Sequence, residues 1–381
     1  MSVFVSDESN NCTDEYFMGR AIELAKGGTG RTNPNPLVGA VIVKDGCIIG
    51  EGFHHKYGDL HAERDALRDC AEKGNDPAGA VIYVTLEPCC HYGKQPPCTL
   101  AVAEAGIRKV VIGSRDPNPL VSGKGTEFLR SKGIEVQENF LRNECDALNP
   151  IFFHYITTKM PYVALKFAMT LDGKIATSTG DSKWISCEKS REHAHSLRNK
   201  YSCILAGIGT VLADDPMLTC RIEGGRNPVR IICDSRLRIP LESRILQSAK
   251  EAETIIAYAA QEGMDSGTSA DFKGKMEAIK ARGAELICAG KSHVDLKQLM
   301  AVLGERKLDS VLIEGGGEIN YSALEAGIVS HIYAYVAPEL FGGNGKTPVS
   351  GKGMEKVADA FRFRLEKVEQ IENDILLEYG K

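Results

Sequence analysis

His61-Ala62-Glu63 and, further along, Pro88-Cys89 and Cys98 supply one imidazole, two thiols and a carboxylate. One neutral imidazole and two thiolates can hold zinc and leave a fourth position for water. Water bound there falls to a pKa near ~7, so hydroxide is available at neutral pH. A carboxylate beside the metal but off it can then shuttle protons. Glu63 lies two residues from His61, and such positions do not share a helix face. The pair works best at the opening turn of a helix, where both groups reach a site beyond its end. If Cys89, after Pro88, opens a helix, the dipole helps keep its thiolate ionised.

H-x-E followed by P-C and a second Cys is the zinc deaminase signature, usually with P-C-x-x-C spacing. Here Tyr92 stands at the usual second position and the next spaced Cys is Cys98. Cys90 and His91 are further candidate ligands. Adjacent Cys89 and Cys90 cannot easily face one ion, so His61, Cys89 and Cys98 are the expected ligands of one zinc per chain. Glu63 is the expected proton shuttle. A structural zinc is the plainer alternative, although Glu63 would have no purpose in one.

The second half has no G-x-G-x-x-G dinucleotide fingerprint. Its richest glycine segment is Ile313-Glu314-Gly315-Gly316-Gly317-Glu318, after a strand pattern and before a helical one. Such a segment lets backbone N–H groups approach a phosphate at a helix N-terminus. Trp184, the chain's sole Trp, is either a core aromatic or a ligand contact.

These groups need a scaffold. Thr13 can cap a helix to about Lys26, ended by Gly27-Gly28. Leu37 to Val43 and Cys47 to Gly52 read as strands joined by an Asp45-Gly46 hairpin turn. His61 to Glu72, 98–106 and 124–133 read as helices; Ala80 to Leu86 and Lys109 to Gly113 read as buried strands. This predicts a mixed sheet with helices on both faces. The rhythm breaks over 141–160, where the domain boundary is placed. Strands follow at Tyr162 to Met169, Ser202 to Gly207, Val229 to Cys233 and Ser310 to Ile313, with helices near 187–199, 296–304 and 318–326. Glu251 to Asp271 reads as the least ordered stretch. No internal repeat is present, so the two halves are expected to be different folds.

With 381 residues, 43% hydrophobic and 25% charged, the chain is globular by composition. Residues 1–150 carry 16 basic and 21 acidic side chains, and 151–381 carry 30 of each. Neither half has the basic excess that duplex nucleic acid requires, which opposes a nucleic-acid base deaminase. No apolar window approaches the ~20 residues of a membrane span, and the N-terminus is not a signal peptide. Most of the twelve Cys sit singly in apolar runs and are expected to be reduced core residues. The expected setting is the cytoplasm, and the expected partners are small molecules rather than nucleic acid or membrane. A homo-oligomer is left open.

Arg31-Thr32-Asn33-Pro34-Asn35-Pro36-Leu37-Val38-Gly39-Ala40, the zinc motif, Pro96-Pro97-Cys98 and Asp116-Pro117-Asn118-Pro119 together resemble the bifunctional deaminase–reductases of riboflavin biosynthesis. In that family the second Cys ligand follows Pro-Pro at the longer spacing seen here. The resemblance extends through Leu171-Asp172-Gly173-Lys174, Ser182-Lys183-Trp184-Ile185 and the segment Gly209 to Thr219, nearly the whole chain. Cys90 and Gln95 depart from the family's usual Ser and Thr and leave the ligands intact.

The resemblance implies a cytidine-deaminase-like three-layer α/β/α domain over 1–150 and a dihydrofolate-reductase-like α/β domain over 151–381. It implies hydrolytic deamination of a diaminopyrimidinone carrying a ribosylamine 5′-phosphate. NADPH-dependent reduction of the ribosyl to the ribityl side chain follows. Asn35, His54 and Lys94 would meet the pyrimidine and phosphoribosyl parts. Ala168, Trp184, Thr210, Asp214, Ser235 and Gly315, Gly316 and Gly317 would contact NADPH. From the residues that follow the strand at Val229 to Cys233, Ser235 and one of Arg236 and Arg238 would hold its 2′-phosphate, with Arg236 favoured because it is nearer the strand end. Ser182, Arg198, Leu218, Arg221 and Glu314 would contact the reductase substrate. Arg198 and Arg221 suit a phosphate, and Lys166 is a polar group near the reacting carbon.

Overall fold

Thr13 caps the first helix by accepting from Tyr16 N at 3.4 Å. The computed structural model describes residues 13–92, 95–118, 121–261 and 266–381. The chain divides into two compact units, one ending at Thr157 and the other beginning at Thr158.

The first unit runs α1 (Asp14–Lys26), β1 (Gly39–Lys44), β2 (Cys47–Phe53), α2 (Ala62–Glu72), β3 (Val81–Leu86) and α3 (Cys98–Glu104). It continues with β4 (Lys109–Ser114), α4 (Lys124–Ser131), β5 (Glu135–Gln137), α5 (Arg142–Asp146) and α6 (Pro150–Thr158). Its sheet order is β2-β1-β3-β4-β5, antiparallel at β2-β1-β3 and parallel beyond. Asp45 and Gly46 both take positive φ (52° and 76°), the two-residue hairpin turn that Asp-Gly favours.

Alternation along each strand builds two cores. Ile42, Ile82, Val84 and Ile112 meet α2, α3 and α4 through Ala66, Val102 and Leu129. Val41, Tyr83 and Val111 meet α1 and α5 through Met18 and Cys145 on the other face. The expected mixed sheet with two helical layers is therefore present. Helix α2 lies so close to β2 that a Cβ on Gly52 would come 2.2 Å from Ala66 N.

The first strand starts at Gly39, not at Leu37 as the apolar run suggests. The Leu37 backbone bonds instead to the side chain of Asn149. The aromatic run expected to break the rhythm is itself helical, forming α6.

The second unit runs β6 (Tyr162–Thr170), α7 (Glu188–Lys200), β7 (Cys203–Gly207), α8 (Ile208–Asp214), β8 (Val229–Cys233), α9 (Arg244–Gln247) and β9 (Thr254–Tyr258). It continues with α10 (Ser266–Ala281), β10 (Glu285–Cys288), α11 (Leu296–Glu305), β11 (Ser310–Ile313), α12 (Gly317–Glu325), β12 (Val329–Ala337), β13 (Arg364–Ile371) and β14 (Asp374–Gly380). Nine strands form one sheet ordered β10-β9-β8-β7-β11-β6-β12-β14-β13. It is parallel from β10 to β12 and antiparallel over the last two pairings. Both faces carry cores, one reaching α11 and α12 and the other α8, α9 and α10.

The stretch read as least ordered contains β9, an interior strand whose residues from Thr254 to Ala257 are buried. Polar segments flank its apolar run on both sides. The parallel order places the C-terminal ends of β6, β7 and β11 side by side, and the candidate reductase residues follow those ends.

Arg230 on β8 is fully buried. Its guanidinium donates to the carbonyls of Met217, Ile245, Ser248 and Ala252 and to the hydroxyls of Ser248 and Thr254. Hydrogen bonds thus offset the cost of burying that charge. They also pin Met217 beside Leu218, which is buried at φ 52°. A bulky residue held in that region stores about 1–3 kcal/mol of backbone strain.

Candidate active sites

His61 is the N-cap of α2, in extended backbone, and its ring makes no capping bond. The ring is therefore free for another role. Cys89 lies in the loop after β3, and Cys98 is the first residue of α3. The sulfurs of Cys89 and Cys98 lie 3.5 and 3.4 Å from His61 Nδ1. All three donor atoms fall within 4.8 Å of one another. This donor set, one imidazole and two sulfurs on partly or fully buried residues, fits zinc with one position left open. Cys90 and His91 are not members of the cluster.

Cys89 does not open a helix. Cys98 does, and its backbone N–H donates to Cys89 Sγ at 3.3 Å. The helix start serves the neighbouring thiolate. Hydrogen bonds from Cys98, then His61, hold the Cys89 thiol down at about 4 against the opposing effect of burial.

Glu63, in the first turn of α2, is buried at 3% exposure. Burial, then the Cys89 thiolate, push its carboxyl up, with His61 opposing. A carboxylate poised toward neutrality beside a three-donor cluster suits general acid–base work.

Asn35 Nδ2 lies 3.1 Å from His54 Nε2, and His54 Nδ1 lies 2.9 Å from the Leu60 carbonyl oxygen. Burial pushes the His54 pKa down, with the Leu60 bond opposing. The neutral ring donates from Nδ1 to Leu60 and accepts from Asn35 at Nε2. The His54 and His61 rings stand 5.4 Å apart, centroid to centroid. Gln95 donates to the Gly58 carbonyl at 3.2 Å, a loop tie. Lys94 lies outside the described residues. Asp116, quoted above only for the resemblance, is buried, and burial raises its carboxyl to about 6.

In the second unit Glu314 directly follows β11. Its carboxylate accepts from Arg198 Nε at 2.7 Å and Nη2 at 2.9 Å, with Lys166 Nζ 3.6 Å away. Lys166 also sits 5.5 Å above the Tyr335 ring. Burial opposes ionisation of Glu314, but Arg198 and Lys166 outweigh it and hold the carboxyl at about 2. Arg198 Nη1 donates to the Thr219 carbonyl at 3.0 Å. The Arg198 fork, expected to suit a phosphate, grips Glu314 in this structure.

Arg221 is exposed. Its Nε and Nη2 lie 3.0 and 2.8 Å from His195 Nε2. Burial, then Arg198 and Arg221, hold His195 down at about 4, so the ring is neutral and accepts. The sequence reading missed His195. Its position three residues before Arg198, on the same helix face, was the available signal.

Trp184 is 63% exposed with the Arg191 guanidinium 4.7 Å over its ring, which excludes the core-aromatic alternative. Ser182 is half-buried in the loop before it. Thr210 and Asp214 lie on α8, Asp214 exposed, and Ala168 lies half-buried on β6. A Cβ on Gly316 would come only within 4.0 Å of Thr210 Oγ1, leaving that face open. On Gly315 it would meet Ile319 at 2.1 Å, and on Gly317 the Thr347 carbonyl at 2.7 Å.

Asp234 is fully buried, accepts from Ile239 N at 2.8 Å and faces Arg238 Nε at 3.6 Å. Ser235 Oγ accepts from Val294 N at 3.0 Å and keeps its own proton to donate. Arg236 is exposed.

The chain thus joins a zinc-dependent deaminase to a reductase. Residues 11–114 match the family model described as the cytidine and deoxycytidylate deaminase zinc-binding region. Residues 161–377 match the RibD C-terminal domain. The riboflavin biosynthesis protein RibD of Actinobacillus pleuropneumoniae is 51% identical, covering 98% of this chain and 97% of that protein. A solved deaminase/reductase from Thermotoga maritima is 43% identical, with a TM-score of 0.84, covering 96% of this chain and 98% of that one. Acinetobacter baumannii RibD is 38% identical with a TM-score of 0.83 over the same shares. The chain belongs to the RibD family: it is a bifunctional deaminase and reductase of riboflavin biosynthesis that uses zinc and NADPH. Among the described residues no helix is long and apolar enough to cross a membrane.

Proposed function

We propose that residues 1–150 form the deaminase and that it converts 2,5-diamino-6-(5-phosphoribosylamino)pyrimidin-4(3H)-one to 5-amino-6-(5-phosphoribosylamino)uracil. Residues 151–381 then reduce the ribosyl side chain to the ribityl one. The observation that carries this reading is the His61, Cys89 and Cys98 cluster with buried Glu63 beside it. The Thermotoga maritima relative is a diaminohydroxyphosphoribosylaminopyrimidine deaminase/5-amino-6-(5-phosphoribosylamino)uracil reductase, which supports the choice of substrate.

Zinc held by His61, Cys89 and Cys98 would supply a Lewis acid that makes water nucleophilic at neutral pH. Glu63 takes the proton of the attacking water and delivers it to the leaving 2-amino group, which departs as ammonia. Asn35, oriented by His54, holds the pyrimidine edge, and Lys94 holds the phosphoribosyl part.

NADPH would supply the hydride, held by Ala168, Trp184, Thr210, Asp214, Ser235 and Gly315–Gly317. Arg221, braced by His195, grips the substrate phosphate. Glu314 and Arg198 hold the sugar hydroxyls, with Ser182 and Leu218 lining the site. Lys166 offers the proton that the opened sugar gains. Wild-type protein given the diaminopyrimidinone and NADPH should release one ammonia per NADPH consumed. NADPH consumption without ammonia would overturn the order of the steps.

The cofactor preference rests on Arg236. Arg238 is engaged with Asp234, whereas Ser235 and Arg236 form a hydroxyl–guanidinium pair suited to a 2′-phosphate. Arg236→Ala should raise the KM for NADPH roughly ten- to a hundredfold, the loss of one charge-assisted hydrogen bond. The KM for NADH should stay unchanged, and Arg238→Ala should have the smaller effect. Equal changes for both cofactors would rule out this use of the loop.

A further inference from the structure

Asn149 is 3% exposed, and the deamination chemistry makes no use of it. It immediately precedes Pro150, the first residue of α6, where Asn ordinarily caps its own helix. Its side chain is spent elsewhere. Oδ1 accepts from Leu37 N at 2.7 Å, and Nδ2 donates to Leu37 O at 2.8 Å. One amide thus satisfies both backbone groups of a residue 112 positions earlier, as a neighbouring strand would.

Leu37 closes the loop that carries Asn35. Ties of that loop include Asn35 N donating to Thr32 O at 2.8 Å, His54 N donating to Val38 O at 3.0 Å and Tyr57 N donating to Arg31 O at 3.0 Å. Only Pro36 separates the anchored Leu37 from Asn35, whose amide meets His54. Displacing Leu37 therefore moves Asn35 relative to His54 and the cluster beyond it.

We propose that Asn149 is a positioning residue of the deaminase: it fixes the backbone at Leu37 and so sets where Asn35 presents its amide to the pyrimidine. The inference rests on the reading of Asn35 as a pyrimidine contact. It places part of the deaminase's binding apparatus beyond residue 114, where the zinc-binding family match ends.

The test uses full-length Asn149→Leu, which removes both bonds at similar volume, and Asn149→Asp, which keeps an acceptor for Leu37 N. Asn149→Leu should raise the deaminase KM roughly ten- to a hundredfold, the equivalent of one to two hydrogen bonds. Its kcat, zinc content and NADPH oxidation with the deaminated substrate should be unchanged. Asn149→Asp should raise KM less, and it carries the test if the Leu variant does not fold. A merely structural role would lower kcat through lost active protein at constant KM, and that result would overturn the proposal. Asn35→Ala is measured in parallel. If it raises KM and neither Asn149 variant does, the positioning role falls and the Asn35 reading stands. If Asn35→Ala leaves KM unchanged, the Asn35 reading falls and takes this inference with it.

Discussion

Glu63→Gln protein should carry about one zinc per chain and deaminate its substrate ~10² to 10⁴ times more slowly than wild type. The three donor atoms that lie within 4.8 Å of one another come from His61, Cys89 and Cys98, so the metal does not need the carboxylate. Gln fills the same buried volume and can still hydrogen-bond. What it cannot do is accept a proton from water and return it to the leaving amine. The loss should therefore fall on kcat, with zinc content by elemental analysis as the control. Zinc lost together with activity would show that Glu63 is a ligand.

Arg198→Met should abolish most of the reductase activity, lowering kcat/KM by at least ~10², and destabilise the protein by about 3 kcal/mol. The two bonds of 2.7 and 2.9 Å to Glu314 are made inside the protein, where the Arg198 and Glu314 side chains are 15% and 9% exposed. Removing the guanidinium leaves a buried carboxylate with Lys166 at 3.6 Å. The double variant Arg198→Met with Glu314→Leu should recover much of the stability, because no charge is left stranded, yet none of the activity. Equal stability of the two variants would show that the pair is held for another reason.

The same pair has a pH signature. The Glu314 carboxyl is held at about 2 in the folded chain, below its ordinary 4.5. A depressed carboxyl contributes stability that is present above its unfolded pKa and lost as pH falls through the folded one. Acid unfolding of wild type should steepen between about pH 4.5 and 2, and Glu314→Gln should remove that component.

The zinc site was legible because its chemistry demands particular residue types at short spacings. His61 and Glu63 fall in one helical turn, and exclusion of adjacent sulfurs selects Cys89 and Cys98. The source of Cys89's stabilisation was not legible. It depends on which Cys begins a helix, and the proline before each offers the same signal. The Asn149 contact with Leu37 could not be read, since nothing local marks a pairing over 112 residues. Arg198 shows the limit of residue-type arguments: an arginine suits phosphate and carboxylate alike, and only the fold brings Glu314 to it. The interior strand Thr254–Tyr258 was missed because its apolar run lies between polar segments. The strands from Val329 onward, which complete the sheet beside β6, were left unassigned.

The most direct measurement gives folded, zinc-loaded Glu63→Gln protein the already deaminated 5-amino-6-(5-phosphoribosylamino)uracil and follows NADPH oxidation. Two independent sites in one chain predict a wild-type rate, while the same protein releases almost no ammonia from the diaminopyrimidinone. Parallel loss of both activities in that protein would contradict two separate chemistries carried on either side of residue 150.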